Sequence, residues 1–243
     1  MVEVSIDTAS DIAGVALTLD GELLAEVTWR TRQNHSRELL PALDWLLERA
    51  KLNRAEIAAL FVCTGPGSYA GLRVGLSTAK AVAYALGARI AGIGRLAADA
   101  LPLAVKQGQR VVALQAAGRA ELAWAAYTRF GGELKELSAP ALCPKEHLLE
   151  QLAAGDIICG DLDASLRDDI AKRGAVSTAA AAPRVLAVAR LGWKRLRAGD
   201  IDSPDSLVPL YLREPAIGPQ RPYPPAPSPR AETGSPQAER GSV

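Results

Sequence analysis

Residues 57–73 read Ile-Ala-Ala-Leu-Phe-Val-Cys-Thr-Gly-Pro-Gly-Ser-Tyr-Ala-Gly-Leu-Arg, and this stretch decides the architecture. Its first seven residues are an uninterrupted apolar run, short enough for a buried strand. Thr64-Gly65-Pro66-Gly67 breaks the run, and from 72 to 86 small and apolar residues follow a helical pattern that Gly87 can end. Glycines between a strand and a helix let backbone amides approach a ligand at the positive helix end. No Gly-Lys-Ser/Thr follows, and the glycine spacing is not the dinucleotide fingerprint. The turn therefore reads equally as an anion site or as a tight connection with close packing.

Working towards the amino terminus, residues 35–51 place Leu39, Leu40, Leu43, Leu46, Leu47 and Ala50 at helical spacing with charges between, so an amphipathic helix precedes the buried strand. Before it, Val2, Val4 and Ile6 alternate with polar residues, residues 12–19 are β-like, Asp20-Gly21 is a hairpin signal, and residues 22–30 form the returning strand. Towards the carboxyl terminus come a strand at 89–93 and a helix at 96–105. The order β-β-β-α-β-α-β-α implies a mixed sheet flanked by helices, closing one lobe over residues 1–106. Residues 111–114 and 122–127 open a second lobe, 107–213, with helices at 145–152 and 184–197 and a last ordered segment from Pro204 to Arg213. No sequence repeat relates the lobes. Beyond Glu214, prolines crowd a stretch with almost no aliphatics, so residues 214–243 are expected to be a disordered Pro-rich tail.

The chain has 243 residues, 49% hydrophobic and 23% charged, enough for an ample core. Lys and Arg number 28 against 27 Asp and Glu, so no field of one sign is available to hold a polyanion. Arg30, Arg32, Arg37, Arg73, Lys80 and Arg89 near the first two helices read as a solvated face by default. Cys63, Cys143 and Cys159 are odd in number and lack Cys-x-x-Cys spacing, which argues against a disulfide framework and a zinc site. His35 and His147 lie far apart, so a histidine metal site is not expected. No serine sits in a Gly-x-Ser-x-Gly elbow, and a cysteine inside an apolar strand is inert. With no basic leader and no run near the ~20 apolar residues of a bilayer span, a cytoplasmic protein without membrane contact is expected.

Asp7 and Thr8, ending the first strand, suit a phosphate or a magnesium-bound water, or simply cap a turn. Ala70, Gly71, Gly75, Ala79, Ala83 and Gly87 form a small-residue seam that fits either a subunit interface or packing within the chain.

Three blocks together resemble one family, the bacterial TsaB (YeaZ) proteins: Ile6-Asp7-Thr8-Ala9-Ser10, then Asn34-His35-Ser36-Arg37-Glu38-Leu39-Leu40-Pro41, and Gly65 through Gly75. Pro209-Leu210-Tyr211-Leu212-Arg213 resembles the family's closing segment. The resemblance implies an α/β, actin-like or ASKHA (ribonuclease H-like) fold of two lobes with mixed β-sheets flanked by helices. It also implies a non-catalytic scaffold in making N6-threonylcarbamoyladenosine on tRNAs that read codons beginning with adenine. The implied partners are the TsaD catalytic subunit and the TsaE ATPase, with tRNA reached indirectly and a homodimer when the chain is alone. Docking through the first two helices would then use Leu39, Leu43, Leu46, Leu47, Tyr69, Leu72, Leu76, Ala79 and Tyr84.

The catalytic paralogue carries a His-x-x-x-His metal pair where this chain reads Gly92-Ile93-Gly94-Arg95-Leu96-Ala97-Ala98-Asp99, so a pseudo-enzyme without metal is expected. No cofactor should bind tightly to this subunit, while ATP or ADP can sit at the partner interface. The alternative is an ATP-dependent small-molecule kinase or phosphatase of the actin-like superfamily, with Asp7, Thr8, Gly65, Gly67 and Ser68 serving the phosphates. A metal-dependent peptidase lacks its His-Glu-x-x-His motif. The sequence departs from the family at Gln115-Ala116-Ala117-Gly118-Arg119, where members show Asp-Ala-Arg, and in its tail.

Overall fold

Alternating apolar residues at Val2, Val4 and Ile6 make β1 (Val2–Asp7), which pairs antiparallel with β2 (Ile12–Leu19), itself paired with β3 (Glu22–Arg30). The structure is a computed structural model describing residues 1–32, 34–118, 121–178 and 183–212. After α1 (His35–Ala50) the chain re-enters the sheet as β4 (Ile57–Gly65), parallel to β1, and leaves through α2 (Tyr69–Leu86). Gly87, at φ +65°, supplies the left-handed residue that ends α2. Then β5 (Arg89–Gly94) runs parallel to β4, completing the order β3-β2-β1-β4-β5, and α3 (Arg95–Ala100) follows.

Strand alternation divides β4 between two layers. Leu60 and Val62 join Val4, Ile6, Val15 and Leu17 beneath the buried residues of α1 and α2. Ala59, Phe61 and Cys63 face the other way.

The second sheet contains β6 (Arg110–Ala116), β7 (Glu121–Phe130), β8 (Glu133–Pro144), β9 (Ile157–Gly160) and β10 (Val176–Ser177). Its order, β10-β9-β6-β7-β8, with β6–β7 and β7–β8 antiparallel and β6–β9 and β9–β10 parallel, repeats the first sheet strand for strand. A duplication of topology is therefore present where the sequence showed no repeat. One face of this sheet packs on α4 (Lys145–Gln151) and α5 (Ala164–Lys172). The other receives Leu96 and Ala100 of α3.

The last helix among the described residues, α6 (Val185–Arg197), covers the second face of the first sheet, where Ala187, Val188 and Leu196 meet Phe61, Cys63 and Ile93. Gly192 lies so close to the Phe61 ring that a Cβ there would collide with it. The division expected at residue 106 omitted this return. Sheet one cannot bury both faces of β4 from its own 106 residues, so the chain comes back to finish it.

Other departures have local causes. The helix expected at 96–105 ends at Ala100 because Pro102 lacks the amide that would extend the ladder. β8 escaped notice because it is an edge strand with exposed polar residues and Pro140. β9 is only four residues long. Arg119, Arg213 and the tail at 214–243 lie outside the described residues. Among the described residues no helix is long and apolar enough to cross a membrane.

Candidate functional site

The outward side of the first two helices is not the side the sequence pointed to. Leu39, Leu43, Leu46, Leu47, Leu72, Leu76 and Ala79 are each at most 5% exposed. They form the chain's own core, because the widest apolar stripe of each helix lies against the sheet beneath it. The middle of the small-residue seam, Gly71, Gly75, Ala79 and Ala83, is likewise internal, while Ala70 and Gly87 are exposed: a Cβ at Gly71 would strike the Thr8 carbonyl, and one at Gly75 the Thr8 hydroxyl.

Tyr69 and Tyr84 do stand at the surface, and both are engaged by residues 203–211, which run along α2. The Tyr69 ring lies 5.1 Å from that of Tyr211 and under the Arg73 guanidinium at 4.7 Å. The Tyr84 hydroxyl donates to Asp205. Lys80 Nζ donates to the Leu207 carbonyl at 3.2 Å, and the Leu210 amide to Thr64 O at 2.8 Å.

What the two helices leave open is a groove of about 550 Å³ between them. Leu40, Ser77, Ala81, Val82 and Leu86 line it, with Leu43 as its floor. Leu40 and Trp45 are each 48% exposed. The Asp44–Arg54 ion pair, 2.6 Å, borders the groove. These outward residues were missed; Leu40, next to Leu39 and off the core stripe, was the available signal.

The second candidate region lies where the lobes meet. The structure brings Asp7, Thr8, Gly67 and Ser68 together but engages them within the chain, chiefly with Ala9 and Gly71. Thr8 Oγ1 donates to Gly71 O at 2.8 Å, the Ser68 amide to Ala9 O at 2.8 Å, and Ser68 Oγ caps α2 by accepting from the Gly71 amide at 3.3 Å. A Cβ at Gly67 would meet the Ala9 carbonyl. Gly65, joined to Pro66 by a cis peptide, faces Leu72 and the Leu210 carbonyl.

Asp7 accepts from the Ala9 amide at 3.0 Å and from Arg184 Nε at 2.9 Å. Arg184 also donates to Ser10 Oγ and lies 3.6 Å from Asp99. Arg95 contacts Asp99 at 3.4 Å and Asp161 at 3.1 Å. Beside this cluster is a cleft of about 450 Å³ that includes Ser10, Arg30, Ser68, Gln115 and Asp161 in its wall. Burial pushes the Asp99 carboxyl up to about 6, against the pull of Arg184 and Arg95.

Burial, with Asp7 nearby, also raises the Cys63 thiol. His35 is buried at the start of α1, its Nε2 3.2 Å from Ser10 O. No group of three or more His, Cys, Asp or Glu is placed to hold a metal ion among the described residues. Arg184 was missed because its partner is 177 positions away; Arg95 and Asp99, four apart, were legible as an ion pair.

A protein-family model described as "TsaD: tRNA N6-adenosine threonylcarbamoyltransferase" matches residues 22–159. The chain is 32% identical over 96 residues to the tRNA threonylcarbamoyladenosine biosynthesis protein TsaB of Bacillus subtilis, covering 40% of this chain and 42% of that protein. It is 32% identical over 126 residues to TsaB of Escherichia coli, covering 51% and 54%. The chain thus spans about half the length of the curated relatives it matches. YeaZ from Pseudomonas aeruginosa superposes with a TM-score of 0.74 at 22% identity, over 86% of this chain and 100% of that one. A protein described as similar to peptidase YeaZ, also from Pseudomonas aeruginosa, gives 0.74 at 24%, over 87% and 99%. These two structures share the two-lobed α/β fold of this chain.

Proposed function

Since this chain belongs to the family described as TsaD: tRNA N6-adenosine threonylcarbamoyltransferase, and to its TsaB (YeaZ) branch, we propose that it is a non-catalytic scaffold in forming N6-threonylcarbamoyladenosine on tRNA. In this reading it binds the TsaD catalytic subunit and holds it in an active geometry, contributing binding energy and orientation. TsaE joins the pair, tRNA is reached through the complex, and a second copy of this chain takes the TsaD place when TsaD is absent.

The observation that carries this reading is the groove between α1 and α2. It is apolar, open and flanked by the exposed Leu40 and Leu86, so it offers surface that a partner helix can cover without dismantling the core. Two features of the lobe junction support a non-catalytic role. Arg184 occupies Asp7, and the stretch 92–99 carries the Arg95–Asp99 ion pair instead of histidines. We place ATP or ADP, where it takes part, at the junction with the partner, because Thr8, Gly67 and Ser68 are already engaged within the chain.

Light scattering after size exclusion, on this chain alone and mixed with TsaD from its source organism, tests the proposal. A mixed complex abolished by Leu40→Asp and Ala81→Asp, both of which lie on the groove, is the expected result. Absence of any association, with or without ATP, would overturn it.

A further inference from the structure

Where the lobes meet, two guanidinium groups serve three carboxylates. Asp7 ends β1, Arg95 and Asp99 sit on α3, Asp161 follows β9, and Arg184 precedes α6, so four separate parts of the chain converge. Arg95, Asp99 and Asp7 are at most 2% exposed and Arg184 8%. Arg184 is hydrogen-bonded to Asp7 at 2.9 Å and Arg95 to Asp161 at 3.1 Å, which uses both cations. Asp99 keeps ion contacts at 3.4 and 3.6 Å, and neither of its buried oxygens has a hydrogen-bond partner. With all three carboxylates ionised the cluster carries one negative charge too many, and that charge falls on the group least able to bear it.

We propose that Asp99 is a proton-binding site built into the lobe junction: the protonated carboxyl fits the closed arrangement, and its ionisation loosens the contact of α3 with the second lobe and with Arg184. The lobes are then held most tightly in mildly acid solution and less tightly above neutrality.

The groups facing Asp99 in the structure are few. Arg95 lies on its own helix, Asp7 comes from β1, Arg184 from the approach to α6, and Asp161 from the end of β9. Cys159 of β9 lies with its Sγ 3.7 Å from the Asp99 carbonyl, Tyr127 faces it from β7, and Cys63 of β4 faces Asp7 and Arg184. Burial raises the Cys159, Tyr127 and Cys63 side chains, so all three are neutral across the range in which Asp99 titrates.

The sign follows from linkage. Asp99 ionises near 3.8 when unfolded and near 6 when buried, so the folded state holds a proton that the unfolded chain has lost between those values. The stability this proton supplies is complete below 3.8, falls as pH rises towards about 6, and is absent above it. From pH 4.5 upward the remaining interval is about 1.5 units, roughly a thirtyfold change in the folding equilibrium.

The test compares the full chain with Asp99→Asn by urea unfolding at pH 4.5 and 7.5, which cancels the contributions of other acids. The variant is expected to gain about thirtyfold in relative folding equilibrium at the higher pH. Hydrogen exchange, corrected for intrinsic rate, should show residues 95–100 opening more readily at pH 7.5 in the natural chain but not in the variant. An equal ratio at both pH values, or a variant that loses ground at pH 7.5, would overturn the proposal. Should Asp99→Asn fail to fold, carboxyl-carbon NMR of the natural chain decides: titration of Asp99 near 6 supports the site, and titration below 4.5 removes it.

Discussion

The Thr8 hydroxyl donates to the Gly71 carbonyl at 2.8 Å, across a contact so close that Gly71 has no room for a side chain. Helix propensity alone would make Gly71→Ala stabilising by about 1 kcal/mol. The collision with the Thr8 carbonyl reverses the sign. Both Gly71→Ala and Gly75→Ala should lose about 1–3 kcal/mol in urea unfolding, and a gain in either would show that α2 can move away from β1.

Arg184→Met removes the cation from a carboxylate that is 2% exposed. Leaving Asp7 buried without its partner should cost about 3–5 kcal/mol. Adding Asp7→Asn to that variant should recover part of the loss. A double-mutant cycle measures the coupling, and additivity of the two changes would contradict a paired role.

Cys63, Cys143 and Cys159 are free and buried, and burial raises all three thiols. At pH 8 a disulfide-exchange reagent such as DTNB should leave the native chain almost unlabelled over minutes and react fully in guanidinium. Rapid labelling of the native protein would mean that the strand cores open on that timescale.

Glu3 is fully buried on β1, with Oε2 accepting from the Thr18 hydroxyl at 2.6 Å and from the Gly21 amide at 3.2 Å. Burial nevertheless raises its carboxyl above 4.5, outweighing those two bonds. A raised carboxyl contributes stability below its unfolded value and loses it as pH rises through the folded one. Glu3→Gln should therefore compare better with the natural chain at pH 7.5 than at pH 4.5, by urea unfolding. The opposite trend would mean that the ionised carboxylate is well paired.

The first half of the fold was legible because its signals are local. Asp20-Gly21 announces a hairpin, Leu39 to Leu47 keep helical spacing, and the apolar run at 57–63 is closed by Gly65 and Pro66. The second half was read thinly, since β8 is an edge strand whose polar residues face water and β9 is too short to show a period. At the candidate site, periodicity identified α1 and α2, and the family resemblance pointed their apolar stripes at a partner, whereas the structure lays those stripes on the sheet beneath. A stripe in a sequence records that something covers it, and Leu43 reads the same whether that cover is a strand of its own chain or another protein. The Arg184–Asp7 pair had no sequence signal, because contacts at such separation follow from the fold and not from spacing.

The return of α6 to the first sheet sets an order of events during synthesis. When residues 1–106 have left the ribosome, Phe61, Cys63 and Ile93 still lack the helix that covers them, and they wait until residues 185–197 emerge. At about 5–20 residues per second the interval is several seconds or more. During it the amino-terminal half exposes an apolar sheet face to the cell, and α6 closes that face only after the second lobe has been made.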